Sequence, residues 1–176
     1  MKKILLITLE YPPQRGGVAS YYGGLVEELK RQGHEVDVVS SGLLSKWVWP
    51  RWFSACRIVR KAIKKQKYDM LFAGQVLPLG TVAYLLRRRI PYAVFTHGMD
   101  VLMAQRSWRK RWLMKKIVAH AKLVVANSEY TKQQVEVSGV HRLGGAGRCQ
   151  VSVVYPCPTA LLDPRREEVE VLRHKL

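Results

Sequence analysis

Two glycines stand between an apolar segment and a helical pattern near the start of the chain. Gly16 and Gly17 follow the apolar residues 4–7, and a helical stripe of apolar residues begins soon after them. A glycine loop at a helix N-terminus lets a ligand approach the backbone, whose free N–H groups and dipole attract negative charge. Only two glycines precede the helix, so the pattern is not the dinucleotide-binding fingerprint. The backbone of Gly16, Gly17 and Val18 is therefore a predicted anion site, with a plain strand-to-helix turn as the alternative.

Other side chains that can donate or accept hydrogen bonds follow further apolar runs. They are Glu10, His97, Asp100, Ser128 and Glu129. Each has a structural alternative, since a loop histidine can cap a turn and acidic or hydroxyl side chains often cap backbone N–H groups. The candidate chemistry depends on whether the fold brings these residues together.

The apolar runs alternate between strand and helix patterns along the whole chain. Strands are predicted at 3–9, 35–40, 69–73, 92–96, 123–126 and 151–155, and helices at 19–32, 52–66, 78–88, 107–120, 129–138 and 165–176, with loops at 97–100 and 139–147. This order predicts an α/β fold with a Rossmann-like, doubly wound, mostly parallel sheet and helices on both faces. Ligands of such sheets bind outside the carboxyl ends of the strands, so the loops after strands one, three and four are expected to meet there.

The chain is strongly basic, with 30 lysines and arginines against 13 acidic residues and a net charge of +17. This charge indicates a polyanionic partner, either an anionic membrane surface or a nucleic acid. Cys56, Cys149 and Cys157 have neither zinc-type nor CxxC spacing and are interpreted as reduced thiols of a cytosolic protein. No segment approaches the roughly 18 apolar residues of a membrane span, so a soluble or peripheral protein is expected.

Two basic segments, residues 46–67 and 106–122, contain tryptophans and no acidic residue. Basic helices with tryptophan at their margins are typical of contact with an anionic bilayer. The residues predicted to face the membrane are Arg106, Trp108, Arg109, Lys110, Arg111, Trp112 and Lys115. In the first segment Trp52, Cys56, Val59 and Ile63 form a helical stripe that is expected to face the sheet. The charges would also neutralise nucleic-acid phosphates, but no nucleic-acid-binding signature accompanies them, and the membrane is favoured.

Several motifs in order along residues 1–160 resemble the N-terminal half of a family 4 glycosyltransferase. They are Tyr11-Pro12-Pro13 with Gly16-Gly17, Leu29 with Gly33-His34-Glu35-Val36, Thr96-His97-Gly98-Met99-Asp100, Asn127-Ser128-Glu129-Tyr130 and Val153-Val154-Tyr155-Pro156. The resemblance implies a retaining transferase of the GT-B architecture, in which two Rossmann-like domains face each other across a cleft. It also implies a nucleotide-sugar donor and a lipid or glycan acceptor.

The resemblance implies a role for each motif residue. Gly16-Gly17 would approach the donor diphosphate and the acceptor, His97 would lie beside the transferring sugar as the catalytic histidine, and Glu10 and Asp100 would lie near the cleft. The free N–H groups of the glycine loop would stabilise the departing diphosphate, so neither a metal nor another cofactor is expected.

The chain departs from the family pattern in two ways. The Gly-Arg…Lys-Gly and Glu-x7-Glu motifs of the donor-binding half are absent, and Val154-Tyr155-Pro156-Cys157-Pro158 replaces the commoner linker sequence. Residues 1–160 are therefore predicted to form the N-terminal domain, and residues 161–176 the linker and the start of a helix toward a C-terminal domain. We expect a cytoplasmic protein, peripheral to the inner membrane face, that is inactive as this chain alone. The alternative is a catalytically inert basic α/β module that binds anionic membrane or nucleic acid.

Overall fold

The structure is a computed structural model that describes residues 1–45, 49–137 and 151–156. Its centre is a six-stranded parallel sheet in the order β2-β1-β3-β4-β5-β6. The strands are β1 Lys3–Ile7, β2 Glu35–Val39, β3 Met70–Ala73, β4 Tyr92–Thr96, β5 Leu123–Ala126 and β6 Val151–Val153. The predicted doubly wound parallel sheet is confirmed.

Six helices of the described residues cover the sheet. They are α1 Gly17–Arg31, α2 Phe53–Lys65, α3 Leu79–Leu86, α4 Gly98–Gln105, α5 Trp108–Ala119 and α6 Glu129–Val137. Alternate residues of β1 reach two separate cores: Leu5 and Ile7 pack under α2, α3 and α5, whereas Ile4 and Leu6 pack under α1. Because both faces are covered, the strands are apolar throughout rather than alternating.

The first basic helix packs as the stripe pattern predicted. Cys56 and Val59 are buried, and Trp52 and Ile63 pack against the same core. Cys56 is a free thiol, whereas Cys149 and Cys157 lie outside the described residues. The predicted loop at 139–147, helix at 165–176 and linker at 161–176 also fall outside them.

One predicted loop is wrong. Residues 97–100 were expected to be loop, but His97 is the N-cap of α4 and Asp100 lies within its first turn, so Asp100 is not itself an N-cap. The helix has no clear apolar stripe, because Val101 and Ala104 are buried while Met99 and Met103 are exposed. Sequence periodicity therefore does not reveal it.

Gly74 allows β3 to lie close to β1 where both strands end. A Cβ atom at Gly74 would lie 2.9 Å from Cβ of Thr8 and 3.1 Å from the carbonyl oxygen of Ile7. Thr8 is fully buried and has little room to move. We therefore expect Gly74→Ala to lower the free energy of unfolding by about 1–3 kcal/mol, as for an overpacked core.

Urea denaturation measures this loss, and Gly17→Ala is the matched control. A Cβ atom at Gly17 meets nothing within 4 Å, so that variant is expected to unfold near the wild-type midpoint. Equal midpoints for the two variants would contradict the packing argument.

Candidate active site

The candidate site lies at the carboxyl edge of the sheet. The strand order reverses between β1 and β3, which is the switch point where doubly wound sheets bind ligands. The glycine loop follows β1, Gly74 follows β3, and His97 follows β4. These three loops meet there as the sequence predicted, and the first turns of α1 and α4 lie beside them.

Tyr22 joins the three loops through its hydroxyl group. The side chain is fully buried on α1, and its hydroxyl donates a hydrogen bond to the carbonyl oxygen of Gly74. The same hydroxyl lies 2.9 Å from Nε2 of His97. A buried tyrosine hydroxyl needs such partners, and here they fix the position of the histidine ring.

These contacts determine the tautomer of His97. The carbonyl of Gly74 can only accept, so the single hydrogen of the Tyr22 hydroxyl points to it. The hydroxyl oxygen must then accept from His97, whose Nε2 carries the hydrogen and whose Nδ1 is the acceptor of the ring. Burial lowers the pKa of His97 below its usual value, opposed by the hydrogen bond to the Gly74 backbone, so the ring is neutral near pH 7.

Aromatic rings also hold the His97 ring in place. The rings of Tyr21 and Tyr22 each stand nearly perpendicular to it, with centroids 5.7 Å away. Phe95 packs edge-on against both tyrosines from below. The hydroxyl of Tyr21 points elsewhere and donates to the carbonyl of Val154 at 3.3 Å. Of these two tyrosines, only Tyr22 therefore forms a hydrogen bond with the histidine ring.

Asp100 caps the helix that His97 begins. Its backbone N–H donates to the His97 carbonyl at 2.9 Å, and its carboxylate accepts from the His97 backbone N–H. The bond from the His97 N–H to the Asp100 carboxylate is one of the two bonds of a capping box; the other is absent, because the His97 side chain does not cap the helix. The second carboxylate oxygen, Oδ2, is buried and has no partner within the described residues. Such an oxygen can accept a hydrogen bond from a ligand hydroxyl.

Glu10 and the glycine loop lie close together. A Cβ atom at Gly16 would lie 3.6 Å from Oε2 of Glu10, and Gly16 has a φ of +156°, which favours glycine. Tyr22 lies near both acids. Burial raises the pKa of Tyr22, and the charges of Asp100 and Glu10 add to the rise. The first turn of α1 has neither a side-chain cap nor an acidic residue, so no side chain caps its N–H groups. The Val18 side chain packs on the core, so only its backbone serves this site.

Ser128 and Glu129 are not joined to this network. The Ser128 hydroxyl accepts from the Thr131 backbone N–H at 3.2 Å and so caps α6. Glu129 is exposed and pairs with Lys132 at 3.5 Å. No contact in the described part of the chain connects either side chain to His97, and each has a local structural role.

Two residues of the site were missed from the sequence. In the sequence, Tyr22 is one of several apolar or aromatic residues of a predicted helix. A tyrosine close behind a glycine loop could have been recognised, because a buried tyrosine hydroxyl needs a hydrogen-bond partner. Gln75 follows Gly74, and its Oε1 is buried without a partner among the described residues. Together with Asp100 it supplies a second free acceptor at the carboxyl edge.

The residues predicted to face a membrane lie mainly on the exposed surface of α5. Trp108 is 75% exposed and Trp112 is 56% exposed, whereas Met114, Ile117 and Val118 form the buried side. Arg106, Arg109, Lys110 and Arg111 are exposed, and Lys115 is half-buried. No helix in the described ranges is both long and apolar enough to cross a bilayer.

The pH dependence of stability tests the environment of Asp100. Burial raises its pKa to about 6, the charge of Glu10 adds to the rise, and the His97 N–H opposes it. An unfolded aspartate has a pKa of about 3.9, so the folded state binds the proton more tightly and loses stability as the pH rises from about 4 to about 6. Asp100→Asn removes this loss.

We therefore expect Asp100→Asn to raise the melting temperature at pH 7.5 by roughly 4 °C or more. The difference from the wild-type protein should shrink toward pH 4, where the wild-type carboxyl is protonated. Thermal unfolding followed by circular dichroism from pH 4 to 8 measures both curves. Parallel curves across that range would show that Asp100 has an ordinary pKa.

A doubly wound sheet with a helix N-terminus lacking a side-chain cap and a fixed histidine beside its switch point defines the class: it is a Rossmann-like domain. The model of the family "Glycosyltransferase Family 4" matches residues 15–157, which is well over half of the chain. The chain therefore belongs to glycosyltransferase family 4.

Individual relatives are similar over parts of their length. A 41-residue segment is 54% identical to the uncharacterized glycosyltransferase MJ1607 of Methanocaldococcus jannaschii, covering 23% of this chain and 10% of that protein. The crystal structures of Anabaena Alr3699/HepE with UDP and glucose and with UDP-glucose superpose with TM-scores of 0.56 and 0.57 at 18% and 17% identity. Both comparisons cover 99% of this chain and 50% of HepE, so the chain spans about half the length of these structures. This likeness confirms the predicted fold.

Proposed function

We propose that this chain is the acceptor-side half of a retaining glycosyltransferase that transfers a sugar from a nucleotide-sugar donor to a lipid-linked or polysaccharide acceptor. The observation that carries the proposal is the His97 ring, held by Tyr22 beside the glycine loop at the uncapped N-terminus of α1. Family membership supports sugar transfer, and the UDP-glucose bound to Anabaena HepE supports a nucleotide-sugar donor.

In this proposal the glycine loop and His97 act on different parts of the donor. The N–H groups at the start of α1 bind the leaving diphosphate and stabilise its growing charge, so these groups do the work that a metal does elsewhere. Nδ1 of His97 accepts a hydrogen bond from a hydroxyl of the transferring sugar. Nε2 is not available for this contact, because its hydrogen is bonded to the Tyr22 hydroxyl. Asp100 Oδ2 and Gln75 Oε1 accept from further hydroxyl groups.

We also propose that this protein attaches to the inner face of the cytoplasmic membrane. Helices α2, α3 and α5 pack side by side on one face of the sheet. The exposed surface of these helices and of the turn after α3 carries cations and no acid: Arg57, Arg60, Lys61, Lys64, Lys65, Arg88, Arg89, Arg109, Lys110 and Arg111. On the opposite face, α1 has Glu27 and Glu28 beside Lys30 and Arg31. One-sided charge next to exposed tryptophans supports an anionic bilayer as the partner.

Because this chain spans about half the length of HepE, we expect it alone to show no turnover and only weak affinity for nucleotide sugars. A second domain is needed to close the cleft and exclude water. Isothermal titration calorimetry with a panel of UDP-, GDP- and ADP-sugars tests the affinity. Micromolar binding with turnover by the isolated chain would overturn the half-enzyme proposal.

The full reaction is tested on the protein joined to its donor-binding half. With a matching donor and acceptor, NMR of the first-formed product should show the anomeric configuration of the donor, as retention requires. If the joined protein binds anionic vesicles but no nucleotide sugar, the inert basic module is the better description.

A further inference from the structure

A groove of about 400 Å³ lies between α2 and the turn that connects α3 to β4. Five residues line it, and all of them are basic: Arg57, Arg60, Lys61, Lys64 and Arg89. The four residues from α2 are spaced three and four apart, so they share one side of the helix. Arg89 faces them from the turn after α3. The groove is therefore an open depression whose lining residues all carry positive charge.

Nothing nearby neutralises these cations. None of the five forms an ion pair in the part of the chain that the structure describes, and residues 46–67 contain no acid. Like charges three or four residues apart on a helix repel one another. All five side chains are exposed, so they do not support the core and are free to bind a ligand. Binding of a multivalent anion would relieve the repulsion.

We infer that this groove binds the phosphomonoester headgroup of an anionic phospholipid. Three arginines present planar forks that match phosphate oxygens in pairs, and two lysines add point charges. A phosphomonoester carries roughly 1.5 to 2 negative charges near neutral pH, more than the single charge of a phosphodiester. Five cations in one groove therefore favour the monoester. The site is distinct from the candidate active site, which lies at the switch point between β1 and β3.

A lipid is the source of this phosphate because α2, which lines the groove, covers the same face of the sheet as α5, which carries the exposed Trp108 and Trp112. Helix α3 packs between α2 and α5, so a bilayer against Trp108 and Trp112 would also meet the groove. The inference rests on the membrane attachment proposed above. Membrane attachment alone requires only a general electrostatic attraction to anionic lipid. The inference adds a specific binding site for one type of headgroup.

The test compares vesicles that contain phosphatidic acid with vesicles that contain phosphatidylglycerol, adjusted to equal surface potential. Sedimentation of the full chain should show tighter binding to phosphatidic acid. In the double variant Arg60→Gln/Arg89→Gln, affinity for phosphatidic acid should fall by roughly tenfold or more, at about 1 kcal/mol for each charge, and the preference should vanish. Arg109→Gln/Lys110→Gln removes equal charge outside the groove and should weaken both lipids alike.

Each other outcome has a definite meaning. Equal losses of the preference in both double variants, or no preference in the wild-type chain, would overturn the headgroup site while leaving membrane attachment standing. No binding of the wild-type chain to either vesicle would remove both proposals. Groove-dependent binding of inorganic pyrophosphate without groove-dependent vesicle binding would identify a free phosphate compound as the ligand and overturn the lipid. Thermal unfolding checks that the variants, which change exposed side chains only, remain folded.

Discussion

Replacing His97 by alanine in the complete enzyme is expected to reduce turnover by roughly a hundredfold or more, as for loss of one positioned polar group in an active site. The ring is held by Tyr22 and packed against the rings of Tyr21 and Tyr22, so its orientation is fixed before substrate binds. An interaction made mainly in the transition state lowers kcat more than it raises KM when it is lost. Steady-state kinetics with saturating donor and acceptor measures that difference.

Two tyrosine variants separate the role of the His97 ring from the role of the Tyr22 hydroxyl that orients it. Tyr22→Phe removes the hydroxyl that binds Nε2, and we expect a smaller loss of kcat, about tenfold, because the ring loses its orientation but stays in place. Tyr21→Phe is the matched control, since its hydroxyl bonds to Val154 and not to His97. If His97→Ala and Tyr21→Phe both keep near-normal rates, the histidine is a structural residue of the loop.

Neutralising Arg109, Lys110, Arg111 and Lys115 together is expected to weaken binding to phosphatidylglycerol vesicles by up to about a thousandfold. Each cation near an anionic surface contributes about 1 kcal/mol, and the four contributions act together. Trp108 and Trp112 are exposed on the same helix, so their fluorescence in the wild-type chain should shift to the blue with anionic vesicles and not with neutral lipid. Vesicle sedimentation and emission spectra give the two results.

The control for this variant removes exposed charge from the other face of the sheet. Lys30→Gln/Arg31→Gln changes α1, which covers the second core, and should cost much less vesicle affinity than an equal loss on α5. Binding to RNA or DNA must also be measured at physiological salt, because a nucleic-acid partner would use the same charges. Submicromolar nucleic-acid binding, with no tryptophan shift on vesicles, would contradict the membrane proposal.

Local patterns in the sequence were enough to predict most of the strands and helices. Strands β4 and β5 were predicted at their observed bounds, 92–96 and 123–126, because runs of apolar residues end abruptly at polar ones. The glycine loop and the helix after it were also predicted, since glycine and helical periodicity act over a few residues. Helix α4 was missed for the opposite reason: its exposed methionines hide the periodic pattern.

The sequence by itself thus determined the succession of strands and helices along the chain, the edge of the sheet where the candidate site lies, and the excess of positive charge. Only the tertiary structure decided which side chains meet. Tyr22 and His97 are 75 positions apart, and their hydrogen bond exists because β3 pairs with both β1 and β4, the strands that precede these two residues. Strand order comes from packing between distant segments, which no local pattern encodes. For the same reason, the basic residues of α2 and α5 were known from the sequence, but their alignment on one side follows from α3 packing between them.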